Sequence, residues 1–210
     1  GVEEYIAKAK QHIAANEAQA SIIELKNAVK ADPNNAQARF LLGSVYLQIG
    51  QISGAVKELE KAKGHKHQLN RVIPQLARAY ILAEQNEDVI ALTGALEGMS
   101  AEAKSHYFAY KTLAALKLQK TTIANESLET AIASDENSIF TILAKAYAAF
   151  SANDILQANM GVDRILAIDE NQLDALLLKG QLALVEKNYK VAATFLDKFS
   201  KAQPLYFPIH

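Results

Sequence analysis

AQARFLLGSVYLQIGQISGAVKELEKAK, residues 36–63, carries two apolar stripes at helical spacing with a break between them. Leu42, Gly43 and Tyr46 fall on one side of a first helix, and Ala55, Leu59 and Ala62 repeat on one side of a second. Small residues at Gly43 and Ala55 let two helix axes approach closely, and Tyr46 and Leu59 fill the wider gaps beside them. Gly50 sits at the break, where a residue able to adopt the left-handed conformation ends the first helix. The stretch therefore predicts a helical hairpin.

The same scheme returns along the chain with a period of about 34 residues. AVKADPNN holds Ala28, Asp32 and Pro33; AIASDENS holds Ala131 and Asp135; ILAIDENQ holds Ile165 and Asp169. Asp135 to Asp169 is one such period, and one further period beyond Glu170, which stands in the place of Pro33, lies Pro204. Pro33 cannot continue a helix, and the Asp and Asn residues around it can cap the next one. Leu76, Ala77 and Tyr80 mark a third repeat, Ala124, Leu128 and Ala131 a fourth, Tyr147 and Ala158 a fifth, Gly180 and Ala192 a sixth.

The spacing predicts helix pairs at 3–15 and 18–31, 36–49 and 52–63, 70–83 and 87–97, 101–118 and 121–134, 138–150 and 154–168, and 172–185 and 189–202. The expected repeats are 2–35, 36–69, 70–100, 101–137, 138–171 and 172–205, in one all-α solenoid over residues 1–210. The third is the odd one, because GHKHQLN lacks the Asp-Pro-Asn turn and the second helix, EDVIALTGAL, is short with Val89 in the place of Ala55. In the fifth, Tyr147 and Ala158 stand two residues further apart than Tyr46 and Ala55, which predicts a small insertion in the turn SANDIL.

Composition narrows the chemistry. Half of the 210 residues are apolar, which supports a sizeable core. The 22 basic and 23 acidic residues leave a net charge of -1 without a basic stripe, which disfavours a nucleic-acid partner. With no cysteine, disulfides, thiol catalysis and thiolate metal sites are excluded within these residues. No apolar run is long enough for a membrane span. His65 and His67 flank Lys66 without a nearby carboxylate to complete a metal site, so solvated linker residues are expected there. His12, in the slot of Tyr46, is expected to pack, and His106, beside Tyr107, Phe108 and Tyr110, to pack or to line a groove; His210 is terminal. Glu58 with Lys61 and Glu60 with Lys63 read as ordinary surface pairs. Gly-rich phosphate loops, GxSxG and HExxH are absent, so neither catalytic residues nor a cofactor or metal site is expected. Gly1 in place of Met, together with the apolar Leu205, Tyr206, Phe207 and Ile209, leads to the expectation of a piece of a longer repeat array.

These motifs resemble the tetratricopeptide repeat family over essentially the whole chain, most strongly over residues 36–63. The resemblance implies a right-handed superhelical solenoid of about six hairpins whose first helices line a concave groove. It also implies a scaffold that binds a protein or peptide partner and is not an enzyme. IIELKNAVKADPNNAQARFLLGSVYLQIGQISGAVKELEKAKG and IPQLARAYILAEQNEDVIAL further resemble PrsT-type lipoproteins of exosortase and exopolysaccharide systems, which implies a lipid-anchored protein of the bacterial envelope or periplasm. Some members of the family grip a peptide C-terminus with a basic clamp. Its five slots here hold Ile6, Lys10, Leu41, Arg71 and Gln75, and only Arg71 fits, so that mode is not expected. By helix position, Phe40, Ser44, Leu47, Arg78, His106 and Tyr110 are the candidate groove residues. A structural spacer and a carbohydrate-associated module are the competing functions, and a stacked aromatic pair on the groove side would favour the second.

Overall fold

In the computed structural model, residues 1–65, 68–92 and 96–201 are described. Among them twelve helices follow one another in pairs: α1 (Val2–Ala14) with α2 (Ala18–Ala31), α3 (Ala36–Gln48) with α4 (Ile52–Gly64), α5 (Leu69–Leu82) with α6 (Asn86–Ala91), α7 (Ala101–Lys117) with α8 (Thr121–Ser134), α9 (Ile139–Ser151) with α10 (Ile155–Ile168), and α11 (Leu173–Val185) with α12 (Tyr189–Lys201). The chain is an all-α solenoid of such hairpins. His67, His210 and the apolar residues after Pro204 lie outside the described residues.

Each hairpin turns in three residues, and the turns share one geometry. The middle residue has a positive φ: Asn16 59°, Gly50 80°, Glu84 61°, Gln119 58°, Asn153 61° and Lys187 58°. The N–H of the third residue then donates back to the helix, Glu17 to His12, Gln51 to Tyr46, Gln85 to Tyr80, Lys120 to Ala115, Asp154 to Ala149 and Asn188 to Ala183, each at 2.8 Å. This bond satisfies a carbonyl that the helix end leaves open. Glycine takes that conformation freely, whereas a longer side chain is strained there by about 1–2 kcal/mol. The six acceptors keep the period of the sequence throughout, with a single extra residue between Tyr80 and Ala115.

That spacing corrects the fifth repeat. The turn between α9 and α10 is as short as the others, so SANDIL holds no insertion. Ala149, and not Tyr147, occupies the slot of Tyr46. In the run AKAYAAF the slot itself holds an alanine, and the size of Tyr147 drew the reading two residues away from it.

Counting from these acceptors gives the packing. Three residues before each stands a small first-helix residue, in order Ala9, Gly43, Ala77, Thr112, Ala146 and Gly180, all of them buried. On the second helices Ser21, Ala55, Val89, Ala124, Ala158 and Ala192 recur at the same period and are also buried. A Cβ on Gly43 would lie 2.8 Å from Leu59 Cγ, and one on Gly180 2.6 Å from Leu196 Cδ2, so the helices of these two hairpins touch through glycine. Leu25 and Leu59, fully buried, fill the next layer, each contributing about 1.5–3 kcal/mol. Leu42, Ala62, Leu76 and Ala131 are buried as well, and Leu128 is half-buried.

Three turns between hairpins repeat a second device. Asp32, Asp135 and Asp169 leave the helix in extended conformation, and their Oδ1 atoms accept the N–H of Asn34, Asn137 and Asn171 at 3.2, 3.1 and 3.0 Å. Asn35, Ser138 and Gln172 then cap α3, α9 and α11 with their side chains. Pro33 is exposed in the first of these turns.

The chain divides into two compact units, one reaching to Asp88 and the other beginning at Val89. In the first, Arg39 and Glu58 correct an expectation. Glu58 is buried, and its Oε2 accepts from Arg39 Nη1 at 2.8 Å, while Arg39 Nε donates to Pro33 O at 3.0 Å. Glu60 accepts from the Tyr80 hydroxyl at 2.7 Å. Neither glutamate forms the surface pair that its spacing to a lysine suggests, because both sit on the flanks of α4 that meet neighbouring helices. His12, partly exposed, places Nδ1 2.6 Å from Glu17 Oε2. In the second unit the Tyr107 hydroxyl donates to Val89 O at 2.8 Å, anchoring the C-terminal end of α6 on α7. α6 ends at Ala91, six residues before the expected end at 97.

Candidate functional site

The face of the first helices opposite their hairpin partners carries the candidate residues. In the first unit, Phe40, Ser44 and Leu47 lie along α3, three and four residues apart, and all three are buried. Arg71 of α5 lies over the Phe40 ring with its guanidinium carbon 4.9 Å from the ring centre. Arg71 Nη1 donates to Gln68 Oε1 at 3.2 Å, and partial burial lowers its pKa from the ordinary value. Arg71 is therefore packed against its neighbours. Ser44 Oγ donates to Gln75 Oε1 at 2.7 Å, joining α3 to α5. Arg78 is half-buried on α5.

In the second unit, His106 and Tyr110 come together one turn apart on α7, ring centres 5.1 Å apart. His106 is half-buried and Tyr110 buried. Phe140 of α9 stacks on His106 at 3.5 Å with the ring planes 13° apart, and lies 6.4 Å from Tyr110. The Tyr110 hydroxyl donates to Asp174 Oδ2 of α11 at 3.1 Å, and Gln172 Nε2 donates to the same oxygen at 3.3 Å. Three successive first helices thus contribute to one cluster with aromatic faces and an acidic end. Phe140 and Asp174 were missed from sequence. Their signal was the period itself, since His106, Phe140 and Asp174 follow one another at one period each.

Among the described residues no group of three His, Asp or Glu is placed to hold a metal ion, and no helix is long and apolar enough to cross a membrane. His65 caps the C-terminal end of α4.

Residues 12–72 match the family profile described as Tetratricopeptide repeat. A search of the curated proteins finds no match. Among solved structures, the chain is similar to that of Pseudomonas aeruginosa pilF, at TM-score 0.60 and 19% identity, with 96% of each chain covered. It is similar to PilW, described as a widely conserved type IV pilus biogenesis factor, at TM-score 0.59 and 14% identity, covering 95% of this chain and 92% of that one. A tetratricopeptide repeat protein from Parabacteroides merdae aligns at TM-score 0.59 and 16% identity, covering 99% and 94%. At these identities the likeness speaks for the fold alone. Residues 12–72 thus match the tetratricopeptide repeat family by sequence, and the chain shares its helical fold with these solved structures.

Proposed function

We propose that this protein acts by binding a protein or peptide partner across the first-helix face, with the cluster of His106, Tyr110, Phe140 and Asp174 as its anchor in the second unit. The observation that supports this is the alignment of aromatic and acidic side chains on three consecutive first helices. Aromatic side chains supply large contact area at low entropy cost, and an adjoining carboxylate selects donors or cations on the partner. In the first unit Phe40, Ser44 and Leu47 are buried and support the fold, and of the candidates there Arg78 keeps exposed surface for a partner. The test compares wild type with His106→Ala/Phe140→Ala in a pull-down from extract, followed by calorimetry with the purified partner. The expected result is at least tenfold weaker binding with the thermal melt retained. Equal affinity for wild type and variant overturns the assignment.

The stacked His106–Phe140 pair also favours a second reading, a carbohydrate-associated module. It predicts retarded migration in gels containing acidic exopolysaccharide, lost in the same variant. The process we propose is assembly in the bacterial envelope, resting on the resemblance to PrsT-type lipoproteins. Fractionation of cells that places the native protein in the cytoplasm overturns it.

A further inference from the structure

The six first-helix residues that precede the small slot by four positions are Tyr5, Arg39, Ile73, Phe108, Ile142 and Leu176. Arg39, Ile73, Ile142 and Leu176 are buried, at 7%, 1%, 4% and 0% exposure. Tyr5, in the first hairpin, is half-buried. Phe108 lies in the fourth hairpin and is nevertheless only half-buried. The preceding second helix explains this. α6 has six residues, whereas α2, α4, α8, α10 and α12 have 13 or 14. The shortfall corresponds to about 11 Å of helix.

Beside Phe108 the structure has an open cleft of about 930 Å³ between α7, α8 and the segment at Leu96. Phe108 and Leu96 contribute apolar floor, while Glu97, Glu126 and Glu129 line it against one cation, Lys104. Glu97, Glu126 and Glu129 are exposed, and among the described residues none of their carboxylates makes an ion pair or hydrogen bond. Lys111 Nζ lies 5.6 Å from the centre of the Phe108 ring, so the ring face is within reach of cations.

We propose that this cleft is a second docking site, separate from the first-helix face, and that its occupant is a lysine- or arginine-bearing amphipathic helix of a partner protein, about two turns long. Such a helix sets an apolar side chain on Phe108 and directs its cations to Glu126 and Glu129. The site length and the apolar floor ask for a short helix, and the unpaired carboxylates choose its charge.

The probe is a synthetic peptide of about twelve residues, with Leu along one helical face and Lys on the other. It is titrated into the ¹⁵N-labelled chain and followed by amide chemical shifts. A control peptide carries Glu in place of Lys. Expected are shifts confined to α7 and α8 near Phe108 and residues 126–134, at least tenfold weaker binding to Glu126→Lys/Glu129→Lys, and no binding of the control. Both substituted residues are exposed, so the variant keeps its melt. Shifts elsewhere only, equal binding by wild type and variant, or equal binding of the two peptides overturns the proposal. Self-association abolished by the same charge reversals assigns the cleft to a second copy of the chain and overturns it as well.

Discussion

Gly43 and Gly180 occupy the same slot in two hairpins, and replacing each with alanine separates backbone from side-chain crowding. At Gly43 the new Cβ meets Leu59 Cγ at 2.8 Å, Leu59 Cδ2 at 3.1 Å and the Leu59 backbone nitrogen at 3.1 Å. A rotamer change relieves the first two contacts and leaves the third. At Gly180 the contacts are shorter, 2.6 and 2.7 Å, but all are to the Leu196 side chain, which is half-buried and can turn away. Alanine gains about 0.8–1 kcal/mol over glycine in a helix interior, and overpacking costs about 1–3 kcal/mol where the neighbour cannot yield. Gly43→Ala is therefore expected to destabilise by about 1 kcal/mol, and Gly180→Ala to lie near zero. At about 2–4 °C per kcal/mol for a chain of this size, circular-dichroism melts should show a drop of that order for Gly43→Ala and almost none for Gly180→Ala. Gly43→Leu should fall further. A Gly180→Ala variant that loses more stability than Gly43→Ala refutes the argument that the backbone contact decides.

Arg39→Ala leaves Glu58 buried and unpaired, and urea unfolding should show a loss of about 3–5 kcal/mol, most of it recovered in Arg39→Met/Glu58→Leu. Tyr107 is buried with its hydroxyl pKa raised by desolvation, so it stays neutral in the fold while the unfolded chain ionises above about pH 10. Stability from this group is complete below that pH and declines above it by about 1.4 kcal/mol per pH unit, a slope that Tyr107→Phe removes from chemical unfolding curves. Burial and Glu60 raise Tyr80 in the same direction. Gln119→Gly and Lys187→Gly relieve left-handed strain at φ 58° in both turns, and each should raise the melting temperature by the equivalent of about 0.5 kcal/mol, whereas Gly50→Ala should lower it.

The hairpins were legible because close helix contact needs small residues, and these recur at Gly43, Ala77, Ala124 and Ala158 whatever surrounds them. The Asp-x-Asn turns were legible because the carboxylate caps an amide two residues on, a local interaction. The length of α6 was not. Val89, Leu92 and Leu96 keep helical spacing up to the expected end at 97, while the helix stops at Ala91, ahead of the weak helix formers Thr93 and Gly94 in the sequence. Glu58 was misread because an i,i+3 lysine suggests a surface pair, and its partner, Arg39, lies nineteen residues away on another helix. Arg78 and His106 were placed on the first-helix face by position alone, but burial there depends on packing between hairpins. Phe40 under Arg71 and Tyr110 on Asp174 show packing that no single helix predicts.

Site-specific photocrosslinking tests the binding account most directly. p-Benzoylphenylalanine is introduced in place of Phe140, on the first-helix face, or in place of Leu156, which is 70% exposed on α10. Irradiation in cells of the native host should give a discrete adduct from position 140 that disappears in the His106→Ala background, and none from position 156. Adducts from position 156 alone, or equal adducts from both positions, would contradict the placement of the binding surface on the first helices.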